Sequence, residues 1–220
     1  MILSQPAIPG VLTADPISIL NRVRIIGGTW RSRVIRFPDA AGLRPTPDRV
    51  RETLFNWLGQ NLAGLCCLDL FAGSGALGFE SASRHAERVV MVEHNRTAFA
   101  ALAKNAGELG AELGDDAGEE AGEEAGEEAG GKRLHLVNAD ALEWICAPQR
   151  ALEPKYDVVF LDPPYKSGVL PDVMVQLTAL LNAGARVYVE SAEPFARPGF
   201  NAIREGHAGQ VYFQLLQTAE

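Results

Sequence analysis

Cysteine is scarce in this chain: three residues in 220, at positions 66, 67 and 146. Two are adjacent and the third is distant, so no pair has zinc-site spacing and no disulfide framework is available. The three read as core thiols kept reduced in the cytoplasm. Histidine is also sparse, and the sequence assigns no chemistry to His85, His135 and His207, so no metal chemistry is expected. No uninterrupted apolar run approaches the ~20 residues that a membrane span needs. Residues 1–21 lack the basic start and apolar core of a secretory leader and are broken by Pro6, Pro9, Asp15 and Pro16. They read as a flexible extension, and a membrane association is not expected.

Basic charge is missing from the whole, with a formal net charge of −8, but not from its parts. Residues 111–131 carry nine acids and no base, in Glu-Glu-Ala-Gly repeats. Such a segment cannot bury enough apolar surface to order itself, so a disordered acidic insertion is expected. Residues 22–51 carry the opposite bias: eight arginines (Arg22, Arg24, Arg31, Arg33, Arg36, Arg44, Arg49, Arg51) against two acids. Arginine suits bidentate phosphate contacts, and this clustering predicts a nucleic-acid-binding segment. Trp30 within it either stacks on RNA or covers the local hairpin.

Val23 to Ile26 and Arg33 to Phe37, joined through Gly27-Gly28, read as a small ribbon. Thr46 before Pro47 reads as the N-cap of a helix to about Leu62. From Leu65 onward strands and helices alternate: strands 65–70, 88–93, 133–138, 156–161 and 185–190, helices 76–84, 96–109, 141–147 and 170–181. The alternation predicts an α/β domain with a doubly wound, mostly parallel sheet. Residues 201–206 and 210–217 flank Gly206-His207-Ala208-Gly209 as a terminal hairpin. Three parts follow: an extension 1–21, a basic hairpin and helix 22–62, and a cofactor-binding domain 63–220.

Two motifs carry chemistry. Asp162-Pro163-Pro164-Tyr165 follows the apolar strand Tyr156–Leu161. Two prolines fix the backbone and remove donors, leaving the Asp162 carboxylate and the Pro163 carbonyl as acceptors for an exocyclic amine, with Tyr165 placed to stack on a base. A rigid turn after a strand is the alternative. The second motif is Asp69-Leu70-Phe71-Ala72-Gly73-Ser74-Gly75-Ala76-Leu77-Gly78, a strand running through a glycine turn into a helix. Glu93 ends the next apolar run, where an acid accepts from ribose hydroxyls, with His94 beside it. NAD and S-adenosylmethionine fit this pattern nearly equally; Asp69 inside the first strand favours the cationic S-adenosylmethionine. Asp140, followed by Ala141, ends a third strand, where it either reaches an adenine amine or caps the next helix.

In this order the motifs resemble the class I S-adenosylmethionine-dependent methyltransferases that modify amino groups. Arg24-Ile25-Ile26-Gly27-Gly28-Thr29-Trp30-Arg31-Ser32-Arg33 and Gly42-Leu43-Arg44-Pro45-Thr46-Pro47-Asp48-Arg49-Val50-Arg51-Glu52-Thr53-Leu54-Phe55-Asn56-Trp57-Leu58 narrow the resemblance to the RsmD family of bacterial 16S rRNA (guanine-N2) methyltransferases, from about Arg22 to Gln217 outside the insertion. The resemblance implies a Rossmann-like fold: a mostly parallel seven-stranded sheet with an antiparallel last strand and a small N-terminal appendage. It further implies a monomeric cytoplasmic enzyme acting on 16S rRNA in the 30S subunit or an assembly intermediate. Asp162, Pro163, Pro164 and Tyr165 would be its catalytic residues. Asp69, Phe71, Gly73, Ser74, Gly75, Glu93, His94, Asp140, Ala141 and Thr46 would hold the cofactor, and Arg44, Pro45 and Thr46 would form a flap near cofactor and base. A DNA adenine-N6 methyltransferase can use the same tetrapeptide but would carry a large target-recognition domain. A protein-glutamine methyltransferase would more often have Asn at position 162. An NAD-dependent oxidoreductase would need a second substrate domain, and a non-catalytic RNA-binding module leaves the four-part site unexplained.

Overall fold

The computed structural model describes residues 20–39, 46–114, 133–152, 154–164 and 167–219. The expectations for the N-terminal extension up to residue 19, for Arg44, Pro45 and Tyr165, and for the acidic repeats 115–132 fall outside them. An antiparallel ribbon, β1 (Leu20–Arg24) and β2 (Val34–Pro38), opens the chain. Helix α1 (Asp48–Leu58) follows, then β3 (Cys66–Asp69), α2 (Ala76–Ser83), β4 (Arg88–Val92), α3 (Arg96–Leu109) and β5 (Glu112–Leu113). After the acidic segment come β6 (Arg133–Val137), α4 (Ala141–Ile145), β7 (Tyr156–Leu161), α5 (Leu170–Leu177), β8 (Leu181–Ser191), β9 (Phe200–Ala208) and β10 (Val211–Thr218).

Strands β5-β6-β4-β3-β7-β8-β10-β9 form one sheet in that order, parallel from β5 to β8, with β10 antiparallel to β8 and β9 antiparallel to β10. Seven strands match the expected topology. The eighth, β5, is two residues long and pairs with Arg133 and Leu134. The insertion was expected to begin at 111, but residues 112–114 extend the sheet edge, where β6 offers them backbone partners. Two helix ends also differ. Helix α1 stops at Leu58, because Gly59 takes a φ of 97°. Helix α5 gives way to a 3₁₀ turn at Thr178–Leu180, and β8 starts four residues before the expected strand.

The central strands read as continuous apolar runs because both faces are covered. Alternate residues serve opposite layers. Cys67, Val89, Met91, Val158 and Phe160 pack on one face under α1, α2, α3 and the ribbon. Leu68, Val90, Val92, Val159 and Leu161 pack on the other, under α4 and α5. Phe55, Phe79 and Phe160 are completely buried, each worth about 1.5–3 kcal/mol of apolar burial.

The ribbon shares this core rather than projecting from it. Val23, Ile25, Ile35 and Phe37 alternate inward, and Trp30 is buried with them. Trp30 therefore covers the ribbon and presents no face for a base to stack on. Gly28 docks against the end of α2: its φ is +73°, and a methyl group there would meet the Ser83 carbonyl at 1.7 Å. Thr29 N–H donates to that carbonyl (2.8 Å) and Trp30 N–H to Ser83 Oγ (2.9 Å).

The cysteine expectation holds for two of three. Cys67 is buried and Cys66 half-buried on β3, but Cys146 caps α4 at the surface. No helix among the described residues is long and apolar enough to cross a membrane.

Candidate active site

Parallel strands deliver their C-terminal ends to one edge of a sheet, where open α/β folds bind ligands. Here that edge carries a row of acids. Across β6, β4, β3, β7 and β8 these are Asp140, Glu93, Asp69, Asp162 and Glu190. At about 4.8 Å per strand the row spans roughly 19 Å, room for an extended ligand beside a planar base.

The glycine loop lies over β3 and β4. Asp69 is buried, and its Oδ2 accepts from Gly78 N–H at the start of α2 (3.0 Å). Glu93 is buried and ties the loop down: Oε2 accepts from Gly73 N–H (2.8 Å) and Oε1 from Asn95 N–H (2.7 Å). His94, 65% exposed, sits with Nδ1 3.4 Å from Glu93 Oε1. Gly75 adopts a φ of +80°, and a methyl group there would meet Phe79 at 2.5 Å and Leu102 at 2.6 Å, so the turn is restricted to glycine on two counts. Ser74 Oγ accepts from Ala76 N–H (3.3 Å), Ala141 is buried, and Phe71 packs half-buried over the α4–α5 layer. Asp140 is exposed, and its Oδ1 caps α4 by accepting from Leu142 N–H (2.8 Å) and Glu143 N–H (3.1 Å). Capping is thus the role its geometry displays.

At the β7 end, Asp162 and Pro163 are half-buried and Pro164 is exposed, its carbonyl accepting from Ser167 N–H (3.0 Å). Thr46 Oγ1 donates to Asp162 Oδ2 (3.4 Å). The expectation that Thr46 caps α1 fails: Pro47 is the cap residue, with no side-chain hydrogen bond, and the Thr46 hydroxyl is turned to Asp162 instead.

Electrostatically the site is strained by its own acids. Burial, aided by Glu93 and opposed by the Gly78 N–H, pushes the Asp69 carboxyl from 3.8 up to about 7. Burial, then Glu190 and Asp69, holds the Asp162 carboxyl well above the usual range, with the Thr46 hydroxyl opposing. Burial likewise raises Glu190, opposed by hydroxyl donors from Tyr188 and Thr46. A cationic ligand fits such a donor set, because it favours the ionised forms that burial disfavours.

The arginines divide. Arg22, Arg24 and Arg31 are exposed and, with Asp48 and Glu52, line a cavity of about 550 Å³ between ribbon and α1. Arg49 is exposed on α1. Arg33 donates to the Glu108 carbonyl (2.5 Å), and Arg36 stands 3.9 Å from the Glu108 carboxylate. Arg51 does not fit the expected RNA-contacting role. It is fully buried, donating to the carbonyls of Thr46 (3.2 Å) and Arg24 (2.8 Å) and to the carboxylates of Asp48 (2.7 Å) and Glu80 (3.5 Å). Glu80 and Glu190 are the site-region acids that the motif reading did not single out.

Residues 23–217 match the family model described as "Conserved hypothetical protein 95". Ribosomal RNA small subunit methyltransferase D of Escherichia coli K12 is 38% identical over 203 residues, which cover 90% of each chain. The solved structure of the putative methyltransferase yhhF from Escherichia coli superposes with a TM-score of 0.71 at 35% identity, covering 90% of this chain and 98% of that one. A Thermus thermophilus 16S rRNA N2-guanine methyltransferase, solved with AdoMet and guanosine, shares the fold at 18% identity and a TM-score of 0.63, covering 93% of this chain and 52% of that one. With its family model matched almost end to end and its site at the expected sheet edge, this chain belongs to the ribosomal RNA small subunit methyltransferase D (RsmD) family.

Proposed function

We propose that this protein transfers a methyl group from S-adenosylmethionine to the exocyclic N2 amine of a guanine in 16S rRNA. The observation that carries the reading is the closure of β7 by Asp162-Pro163-Pro164, beside the glycine loop that follows β3. S-adenosylmethionine supplies an electrophilic methyl on a cationic sulfonium. Glu93 is suited to the ribose hydroxyls, Asp140 and Ala141 to the adenine end, and Asp69 to the cationic methionine end. Phe71, Gly73, Ser74, Gly75 and His94 line the same strand ends, and Thr46 bridges toward the target base. The Asp162 carboxylate and Pro163 carbonyl accept from the amine, whose lone pair is otherwise delocalised into the ring, and so free it to attack. Holding two substrates in line is the main catalytic contribution. The base must leave its stack to reach the strand ends; Tyr165 is the residue we assign to stack on it. We further propose that the enzyme works as a cytoplasmic monomer on the small subunit or an assembly intermediate, without a metal ion. The test is transfer of labelled methyl to small subunits from a strain lacking the gene, followed by nucleoside analysis. N2-methylguanosine is expected, and label in any other nucleoside would overturn the reading.

The Asp69 carboxyl gives this reading a pH signature. Raised from 3.8 to about 7, it holds a proton in the free protein at mildly acidic pH. Its contribution to stability is complete below 3.8 and is lost as pH rises through about 7. The cationic cofactor selects the ionised form, so its affinity should climb with pH, by up to about tenfold per unit, and level off above about 7. Titration calorimetry across pH 5.5–8.5 measures this slope; Asp69→Asn should flatten it, and an equally steep slope in the variant would remove Asp69 from the cationic end.

The exposed arginines are assigned to the RNA backbone. Converting Arg22 and Arg31 to Glu together should flatten the slope of log affinity against log salt by about 1.5, on the scale of two phosphate contacts. Cofactor affinity should not change. RNA binding measured at four salt concentrations decides, and an unaltered slope would move the RNA surface elsewhere.

A further inference from the structure

We propose that Glu190 is the specificity-determining residue for guanine, accepting the base N1–H while Asp162 accepts from the neighbouring 2-amine. The inference rests on the guanine-N2 reading above and extends it to how the base is chosen.

The placement follows from register. Phe160 on β7 pairs with Tyr188 on β8, and Leu161 with Val189. One step further the register sets Asp162 beside Glu190. Both lie two residues beyond Phe160 and Tyr188, so both face the same side of the sheet as that ring pair, whose centroids are 6.4 Å apart. Asp69 pairs with Phe160 and shares the face. Two carboxylates on adjacent strands, about 4.8 Å apart at the backbone, can converge on two adjacent donors.

Guanine presents such a pair, because its N1–H lies next to its 2-amine. Adenine offers a bare N1 lone pair beside its amine, which a carboxylate repels. One acceptor suffices to orient an amine; the second acceptor reads which ring the amine belongs to.

Glu190 is held for this task. Tyr188 Oη donates to its Oε1 (2.8 Å), which fixes the side chain at the strand end beside Asp162. The Thr46 hydroxyl stands between the two acids, within reach of Asp162 Oδ2 (3.4 Å) and of Glu190, and its single proton serves one carboxyl at a time.

The experiment replaces the methylated guanine, once mapped, with 2-aminopurine in 16S rRNA assembled by splinted ligation and reconstituted into small subunits. 2-Aminopurine keeps the 2-amine but has a bare N1. The wild-type enzyme should prefer guanine over 2-aminopurine by about a hundredfold or more, the scale of discrimination by a hydrogen-bonding site. Glu190→Gln, whose amide can donate to a bare N1, should narrow that preference at least tenfold while cofactor affinity stays within twofold. Glu190→Asp, which keeps the carboxylate, should lose rate but retain the preference. A wild-type preference below threefold, or a Glu190→Gln variant that slows on both bases equally, overturns the proposal. Methylation of guanine N2 with an unchanged preference would sink this inference alone, whereas label on another atom would sink the guanine-N2 reading and this inference with it.

Discussion

Asp162→Ala is expected to lower methyl transfer by about a hundredfold or more, the scale of losing a preorganised acceptor that acts in the transition state. Cofactor affinity should stay within a few-fold, because Asp69 and Glu93, which bind the glycine loop through Gly78 and Gly73, are untouched. The fold should not suffer. Asp162 is a half-buried acid raised by burial and by Glu190, so its removal relieves like-charge crowding and leaves only the long bond from Thr46 unmade. Asp162→Asn keeps a carbonyl acceptor without the charge and should fall between wild type and Ala. Single-turnover transfer of labelled methyl, with calorimetry for the cofactor, separates these effects. Turnover of the Ala variant within threefold of wild type would remove Asp162 from the reaction.

The strand-end acids show what the sequence could and could not reveal. Asp69 and Asp162 were legible because each closes an apolar run beside a glycine or proline signal, Glu93 and Asp140 because each ends a later strand in the alternation, Glu93 twenty residues after Gly73. Glu190 closes Val187-Tyr188-Val189 in the same way, but no turn motif follows it. Its neighbour across the sheet becomes visible only with the β7–β8 register. The rule that parallel strands gather their C-terminal residues would have found it. Thr46 misled for a related reason. A Thr before a Pro-led helix has the local look of a cap, and only tertiary structure turns its hydroxyl to Asp162. Arginines 22–51 read as one basic patch because composition cannot tell a solvated guanidinium from Arg51, which burial and an acid on α2 claim for the core.

That acid, Glu80, should be the costliest single residue to remove from the fold. It is fully buried in α2 and joins three parts of the chain. Its Oε2 accepts from Ile26 N–H (2.7 Å) and Arg51 Nη1 (3.5 Å), and its Oε1 from Gly27 N–H (2.8 Å) and Arg84 Nε (2.8 Å). Arg84 in turn donates to Gln60 and lies over the Phe55 ring, 4.8 Å from its centroid. Glu80→Ala would take the shared carboxylate from two buried guanidinium groups, leaving Arg51 with Asp48 and carbonyls and Arg84 with Gln60, and would leave the N–H groups of Ile26 and Gly27 without its oxygens. Removing one partner of a buried ionic network costs about 3–5 kcal/mol, which for a chain of this size lowers Tm by about 10 °C. The exposed Glu108→Ala, which removes a side chain paired with Arg36 at 3.9 Å and Lys104 at 4.0 Å, should change Tm by less than about 2 °C. Because Glu80 holds the backbone of Ile26 and Gly27, the ribbon should loosen first. Proteolysis at the ribbon arginines should therefore accelerate below the melting transition, while the glycine loop still binds S-adenosylmethionine. Calorimetry and timed proteolysis test both halves: a Tm within 2 °C of wild type would show that the network contributes little, and uniform cleavage along the chain would show that the ribbon and the sheet unfold as one.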